Sequence, residues 1–179
     1  MSTEQGKILV YTGNGKGKTT AAVGLAARAL GRGMKVIMLQ FIKSADRDYG
    51  DQIALERLGC EVYQLGAGCT WTQTAEANRA ALQTAWIKAK EVLQNEQYDV
   101  IILDELNIAL RIEAFPIEDV IPLAEVLHAL KTKPESTHVI ITGRDAKQEI
   151  RDIADLVSTI EEDKHYYQVG VQAIYGVDY

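Results

Sequence analysis

Four short, almost unbroken apolar runs constrain this chain more than any other feature: Lys7-Ile8-Leu9-Val10-Tyr11, Lys35-Val36-Ile37-Met38-Leu39-Gln40-Phe41, Tyr98-Asp99-Val100-Ile101-Ile102-Leu103 and His138-Val139-Ile140-Ile141-Thr142. An antiparallel strand with one wet face alternates apolar and polar residues, whereas a strand covered on both faces is apolar throughout. Stretches with helical periodicity lie between these runs. They are expected over Thr19–Leu30, about Gln52–Leu58, about Thr74–Asn95 and Ile117–Leu130, and Leu82, Trp86, Ala89 and Leu93 mark the inner face of the longest. A weaker strand is expected near Glu61–Gln64, and one more helix and strand lead into an aromatic tail ending at Tyr179. Strand and helix in alternation predict an α/β fold, a mostly parallel sheet with helices on both faces. With 179 residues and no linker, low-complexity stretch or repeat, residues 1–179 are expected to form a single domain.

Ligands of such sheets bind where the strands end at their carboxyl side. Here those ends carry Gly13–Thr20, Gln40–Lys43, Asp104-Glu105 and Gly143-Arg144. The first is the most informative. Thr12-Gly13-Asn14-Gly15-Lys16-Gly17-Lys18-Thr19-Thr20 joins a strand to a helix, the context in which glycines turn backbone N–H groups around phosphate oxygens. A strict phosphate loop would place glycine at position 12; here Thr12 stands there and the glycine follows at Gly13. Gly13, Asn14, Gly15, Lys16, Gly17, Lys18, Thr19 and Thr20 are therefore the expected ATP-binding residues, with the Thr19 hydroxyl a candidate ligand of Mg²⁺. A glycine-rich turn with incidental lysines is the bland alternative, and the strand–helix context argues against it.

The acidic pair Asp104-Glu105 closes the most apolar strand, and either carboxylate could hold Mg²⁺ there, directly or through water. The structural alternative is that Asp104 caps the next helix. Spacing alone does not choose between the two carboxylates. Arg144 could reach a phosphate or be a solvated surface cation, and Lys43 and Arg28 are open in the same way. Trp71, in a glycine-bearing loop, either packs down on the domain or offers a flat face to a planar ligand; Trp86 is core by its helical period. His128 and His138 have no partners at metal or triad spacing, and Cys60 is expected to be a small buried residue.

A net charge of −6 gives no general attraction for nucleic acid, so none is expected as a partner. The polar start Met1–Lys7 lacks an apolar signal segment, and no run approaches the roughly 20 apolar residues that span a bilayer. Cytoplasm is the expected location. A phosphate loop with an acidic strand end suits a kinase, an ATPase, or a nucleotidyl or adenosyl transferase, and fold alone does not decide among them.

The wording of the motifs is more specific. Tyr11-Thr12-Gly13-Asn14-Gly15-Lys16-Gly17-Lys18-Thr19-Thr20-Ala21-Ala22, Ala27-Arg28-Ala29-Leu30-Gly31, Gln40-Phe41-Ile42-Lys43, Thr70-Trp71, Leu103-Asp104-Glu105-Leu106-Asn107, Ile141-Thr142-Gly143-Arg144, Ala154-Asp155-Leu156-Val157 and Lys164-His165 follow in one order. Together they resemble the P-loop corrinoid adenosyltransferase family, of the ATP:cob(I)alamin or cob(I)yrinic acid a,c-diamide type, over nearly the whole chain from Lys7 to Tyr179. The resemblance implies a RecA-like P-loop NTPase fold, a homodimer, and transfer of the 5′-deoxyadenosyl group of ATP to reduced corrinoid cobalt, with a flavoprotein as a candidate reductant. It also implies Mg²⁺ on Thr19 and Glu105, with Asp104 the further candidate, and a corrinoid side that includes Cys69 and Trp71.

The resemblance also implies that no protein base is required, because the nucleophile would be Co(I) itself. Catalysis then consists of positioning and electrostatics, for which Lys16, Lys18 and Arg144 are the candidates. This chain departs from the family in three places. Cys69 stands where phenylalanine is common, an aromatic that helps displace the lower cobalt ligand. Ala173-Ile174 replaces Ala-Gln in the tail, and only six residues precede the first strand. These departures motivate a second reading, a catalytically weak or regulatory ATP-binding relative, and the phosphate loop with its acidic strand end leaves a third, an ordinary P-loop ATPase or phosphotransferase.

Overall fold

The computed structural model describes residues 5–68 and 73–179. The extreme start Met1–Glu4 and the corrinoid-side candidates Cys69 and Trp71 lie outside the described residues. Within them, strands β1 (Ile8–Thr12), β2 (Val36–Gln40), β3 (Glu61–Gln64), β4 (Val100–Asp104), β5 (His138–Thr142) and β6 (Leu156–Thr159) form one sheet in the order β3-β2-β4-β5-β1-β6. Every pairing is parallel. The all-apolar strands are the interior ones, as burial on both faces demands: every residue of β2 and β4 is buried, whereas β3 and β6 at the edges are half exposed.

Successive residues of a strand point to opposite faces, so each interior strand feeds two cores. Ile37 and Leu39 of β2 join Ile101 and Leu103 of β4 on one face. Helix α3 (Ala75–Leu93) covers that face with Leu82, Trp86, Ala89 and Leu93, together with α5 (Leu123–Lys131) and α6 (Gln148–Ile153). Val36, Met38, Val100 and Ile102 point the other way, under Ala22, Ala26 and Ala29 of α1 (Lys18–Gly31) and Leu55 of α2 (Gly50–Arg57). Alanine on the buried stripe of α1 lets the helix that carries the glycine loop lie close to the sheet. Trp86 is buried as its helical period predicts, and its indole N–H donates to Glu125 at 3.0 Å. Cys60 is buried too.

One helix starts later than the apolar pattern suggests. The expected Ile117–Leu130 segment forms a turn over Ile117–Ile121, and α5 begins only at Leu123. The cause is Pro122, which disfavours helical backbone at Ile121 and is itself the residue from which α5 departs. A short helix, α4 (Leu106–Ala109), follows directly on the acidic pair. Beyond β6 the chain makes a 3-10 turn, Tyr166–Val169, and returns across the carboxyl edge of the sheet. Among the described residues no helix is long and apolar enough to cross a membrane.

Candidate functional site

The phosphate loop is held open by contacts that require its glycines. The chain leaving β6 runs against it: Ile160 N–H donates to Thr12 O, and Gly15 N–H donates to Ile160 O, both at 2.8 Å. A Cβ on Gly13 would lie 2.4 Å from the Ile160 carbonyl oxygen, and Gly13 also has φ +97°, in the region that favours glycine. The Thr12 hydroxyl, standing where a strict motif has glycine, accepts from the buried Ala146 N–H at 3.1 Å. The variant loop therefore uses its side chain at position 12 to fasten the segment after β5.

Helix α1 starts at Lys18 with no side-chain cap and no acidic residue in its first turn. Its leading N–H groups and the positive end of its dipole are available to an anion. The Lys18 ammonium is buried and donates to Gly15 O at 2.6 Å, folding back over the loop it belongs to. Burial, with Arg144 second, depresses its pKa, while Glu105 and Glu162 pull the other way. An incoming phosphate would offer this ammonium a better partner than one carbonyl.

The acidic pair divides its work. Asp104 is fully buried, and both of its oxygens are taken. Oδ1 accepts from the hydroxyls of Thr19 and Thr142, each at 2.8 Å, and Oδ2 accepts from Gln40 Nε2 at 3.3 Å. The carboxylate caps no helix; it links the phosphate loop, β2 and β5. Burial raises its pKa against the opposing pull of Lys43 and of those two hydroxyls. Glu105 sits in left-handed backbone at φ 62°, where its N–H donates to Thr142 Oγ1 at 3.0 Å. That turn brings it to the wall of the cleft. Burial and the neighbouring Asp104 push its pKa up to about 7, with Lys18, Lys43 and Arg144 opposing.

Lys18 and Glu105 line one cleft of about 480 Å³, formed by Lys16–Thr20, Lys43, Gly50, Asp51, Glu105 and the tail residues Gly176–Tyr179, whereas Gly13, Gly15 and Asp104 stand behind its wall. Of the expected residues, Gly17, Lys18, Thr19, Thr20 and Glu105 are thus brought together. Lys43 joins them, its ammonium 2.6 Å from Asp51 and over the ring of Tyr49. Lys16 borders the same cleft but is turned to the tail, 2.7 Å from Asp178. Asn14 and Arg144 are exposed; Arg144 lines a neighbouring cavity with Glu162, His165, Tyr166 and Asp178.

Sequence places Gln40 at a strand end but gives it no role, and it gives none to Thr142 or Asp178 either. The first two each stood inside a quoted motif, and a polar side chain ending an otherwise apolar buried strand is the signal that could have singled them out. Asp178 had no such signal, because its importance depends on a fold that returns the tail to the loop.

The donor set also bears on a metal. Thr19 and Glu105, with Asp104 bonded behind Thr19, offer only oxygen, and among the described residues no cluster of three or more His, Cys, Asp or Glu could cage an ion. Mg²⁺ fits such a site, because it keeps waters and binds through one or two carboxylates plus substrate phosphates.

Comparison with known proteins agrees with this geometry. Solved structures with the same arrangement include a KaiC-like protein, PH0186, from Pyrococcus horikoshii OT3 (TM-score 0.56, 18% identity, 90% of this chain and 75% of that one). Another is the RadB recombinase (TM-score 0.50, 14% identity, 88% and 76%). At such low identity they establish the fold alone, RecA-like with a P-loop. Sequence relatives are nearer. The corrinoid adenosyltransferase of Escherichia coli K12 is 43% identical over 98% of this chain and 87% of its own length. Corrinoid adenosyltransferase CobA of Salmonella typhimurium is 44% identical with the same coverage. That of Pseudomonas aeruginosa is 38% identical over 98% and 85%. The family model described as ATP:corrinoid adenosyltransferase BtuR/CobO/CobP matches residues 4–179. With the ordered motifs, the open phosphate loop and a full-length match, this chain belongs to the ATP:corrinoid adenosyltransferase family.

Proposed function

We propose that this protein transfers the 5′-deoxyadenosyl group of ATP to the Co(I) centre of a reduced corrinoid, in adenosylcobalamin synthesis or salvage. The observation that carries the reading is the convergence, in one cleft of a full-length family member, of the uncapped α1 terminus, Lys18, Thr19 and Glu105. The substrate cobalt supplies an electron pair to C5′ of ATP. A cobalt–carbon bond forms, the C5′–O5′ bond breaks with its pair on oxygen, and triphosphate leaves. The protein need not activate a nucleophile; it must hold the reacting atoms in line and stabilise negative charge on the departing oxygens.

Each residue has a place in that task. The N–H groups of the first turn of α1, with those of the loop other than the Gly15 N–H held by Ile160, bind phosphate oxygens, and Lys18 leaves Gly15 O to neutralise them. Thr19 and Glu105 hold Mg²⁺, which supplies further positive charge to the triphosphate. Asp104 orients the Thr19 hydroxyl from below rather than facing the ligand. Lys43, already poised at the cleft wall, adds to the positive field. Cys69 and Trp71 belong to the corrinoid side. The same reading makes the enzyme a cytoplasmic homodimer whose corrinoid substrate is reduced to Co(I) by a flavoprotein. The exposed apolar side chains of Tyr167, Val169 and Tyr175 support a covered tail surface.

The test is incubation with Mg-ATP and a chemically reduced corrinoid, following the cobalt–carbon chromophore and the phosphorus products by NMR. Adenosylated corrinoid with triphosphate is expected. ADP and orthophosphate would instead identify an ordinary phosphotransferase or ATPase, and ATP binding without turnover a regulatory relative.

A further inference from the structure

Lys16 is an unusual member of the phosphate loop, because its ammonium is already engaged by the chain's own tail. It donates to Val177 O at 3.1 Å and lies 2.7 Å from Asp178 Oδ1. Asp178 is the centre of a small network. Its two oxygens are each 2.6 Å from the Tyr166 hydroxyl, which donates to them, and Oδ2 also accepts Ile174 N–H at 2.7 Å. The segment is closed on itself as well, with Asp178 N–H donating to Ile174 O at 2.8 Å. The strap so formed is not remote from the chemistry: Gly176, Val177, Asp178 and Tyr179 face Gly17–Thr20, Lys43 and Glu105 across the nucleotide cleft.

We infer that Asp178 is a positioning residue of the nucleotide site, tying the strap Ile174–Tyr179 to Lys16 so that the strap forms one wall of the cleft. The inference rests on the proposed ATP-binding reading of that cleft. Two features favour a wall over a plug. Lys18 and the leading N–H groups of α1, the donors nearest the loop hollow, are not contacted by the strap's carboxylate, so engaging Lys16 leaves them free. The Asp178 carboxylate is filled by a cation, a hydroxyl and a backbone N–H, and these donors hold its pKa well below the usual carboxylate range. Three donors therefore fasten one carboxylate and hold the strap against the loop. The strap is thereby tied to the loop at the edge of the cleft that both line. In this arrangement Lys16 acts on the nucleotide through the wall it anchors.

The experiment compares wild type, Asp178→Asn, Asp178→Glu and Tyr166→Phe for Mg-ATP affinity by calorimetry, for KM and kcat, and for thermal unfolding. The Asn variant is expected to raise Kd and KM for ATP about fivefold, as loss of a partly shielded ion pair does, with kcat changed less than twofold. Asp178→Glu restores affinity to within about twofold, and Tyr166→Phe, which keeps both charges, weakens it about twofold. Asn binding ATP as well as or more tightly than wild type would overturn the inference, as would a fall in kcat at constant KM or failure of the Glu rescue. If Asp178→Asn does not fold, Tyr166→Phe decides: unchanged affinity there overturns it. Wild-type binding and product identity report separately on the underlying functional reading, so the two can fail independently.

Discussion

Thr142→Val isolates the contact on which the acidic pair depends. The substitution preserves the shape and β-branching of the side chain and removes one oxygen. That oxygen donates to Asp104 Oδ1 at 2.8 Å and accepts the Glu105 N–H at 3.0 Å, in a residue with no exposed surface. Two losses follow. A hydrogen bond to a buried carboxylate disappears, and the Glu105 N–H is left with a methyl group where its acceptor was. A bond to a charged group contributes about 1.5–3 kcal/mol and an orphaned buried donor costs about 1–3 kcal/mol; partial relaxation brings their sum to about 3 kcal/mol. For a domain of this size that lowers Tm by roughly 6–12 °C. Thr142→Ser keeps the oxygen and loses one methyl group, so its expected cost is about 1 kcal/mol.

Urea unfolding of the three proteins gives the comparison, and Mg²⁺ titration in the presence of ATP gives its functional counterpart. Because Thr142 holds Glu105 in its left-handed turn, the Val variant is expected to bind the metal about tenfold more weakly, with the Ser variant close to wild type. A Val variant as stable as Ser, or one with unaltered metal response, would refute the assignment of this hydroxyl as the clasp of the site.

Three further outcomes are expected. Gly13→Ala places a Cβ 2.4 Å from Ile160 O in a φ +97° conformation, so it should cost at least about 2 kcal/mol and abolish ATP binding; Gly24→Ala, in the open middle of α1, should stabilise by about 0.5–1 kcal/mol, as calorimetric melts of the pair would show. Lys18→Ala should weaken ATP binding by at least about a hundredfold, read by calorimetry, since it removes the buried cation of the loop; equal affinity would move the phosphate site elsewhere. Glu105 is protonated below about pH 7 in the metal-free protein, so Mg²⁺ must displace a proton there; affinity should rise with pH and level off above 7, with proton release measurable in buffers of different ionisation enthalpy, and Glu105→Gln should remove the dependence.

The chain's local patterns determined a good deal by themselves. Apolar runs without polar alternation required strands buried on both faces, and the structure sets β2 and β4 in the middle of the sheet for that reason. Glycines between a strand and a helix required an open turn at the head of α1, and the ordered motifs named the family. These properties are legible because burial preference and backbone freedom belong to neighbouring residues.

Tertiary structure alone decided how the polar groups share the site. Asp104 and Glu105 are adjacent in sequence and equally suited to a metal, yet β4 buries the first under Thr19, Gln40 and Thr142 while a left-handed turn carries the second to the cleft. Gln40 meets Asp104 because β2 and β4 pair in register, though 64 residues separate them. Lys16, read from sequence as a phosphate ligand, points to Asp178, 162 positions away, because the chain after β6 returns over the carboxyl edge of the sheet. Partnerships of this kind depend on strand order and register, which emerge from the packing of the whole chain and leave no mark on any one stretch of it.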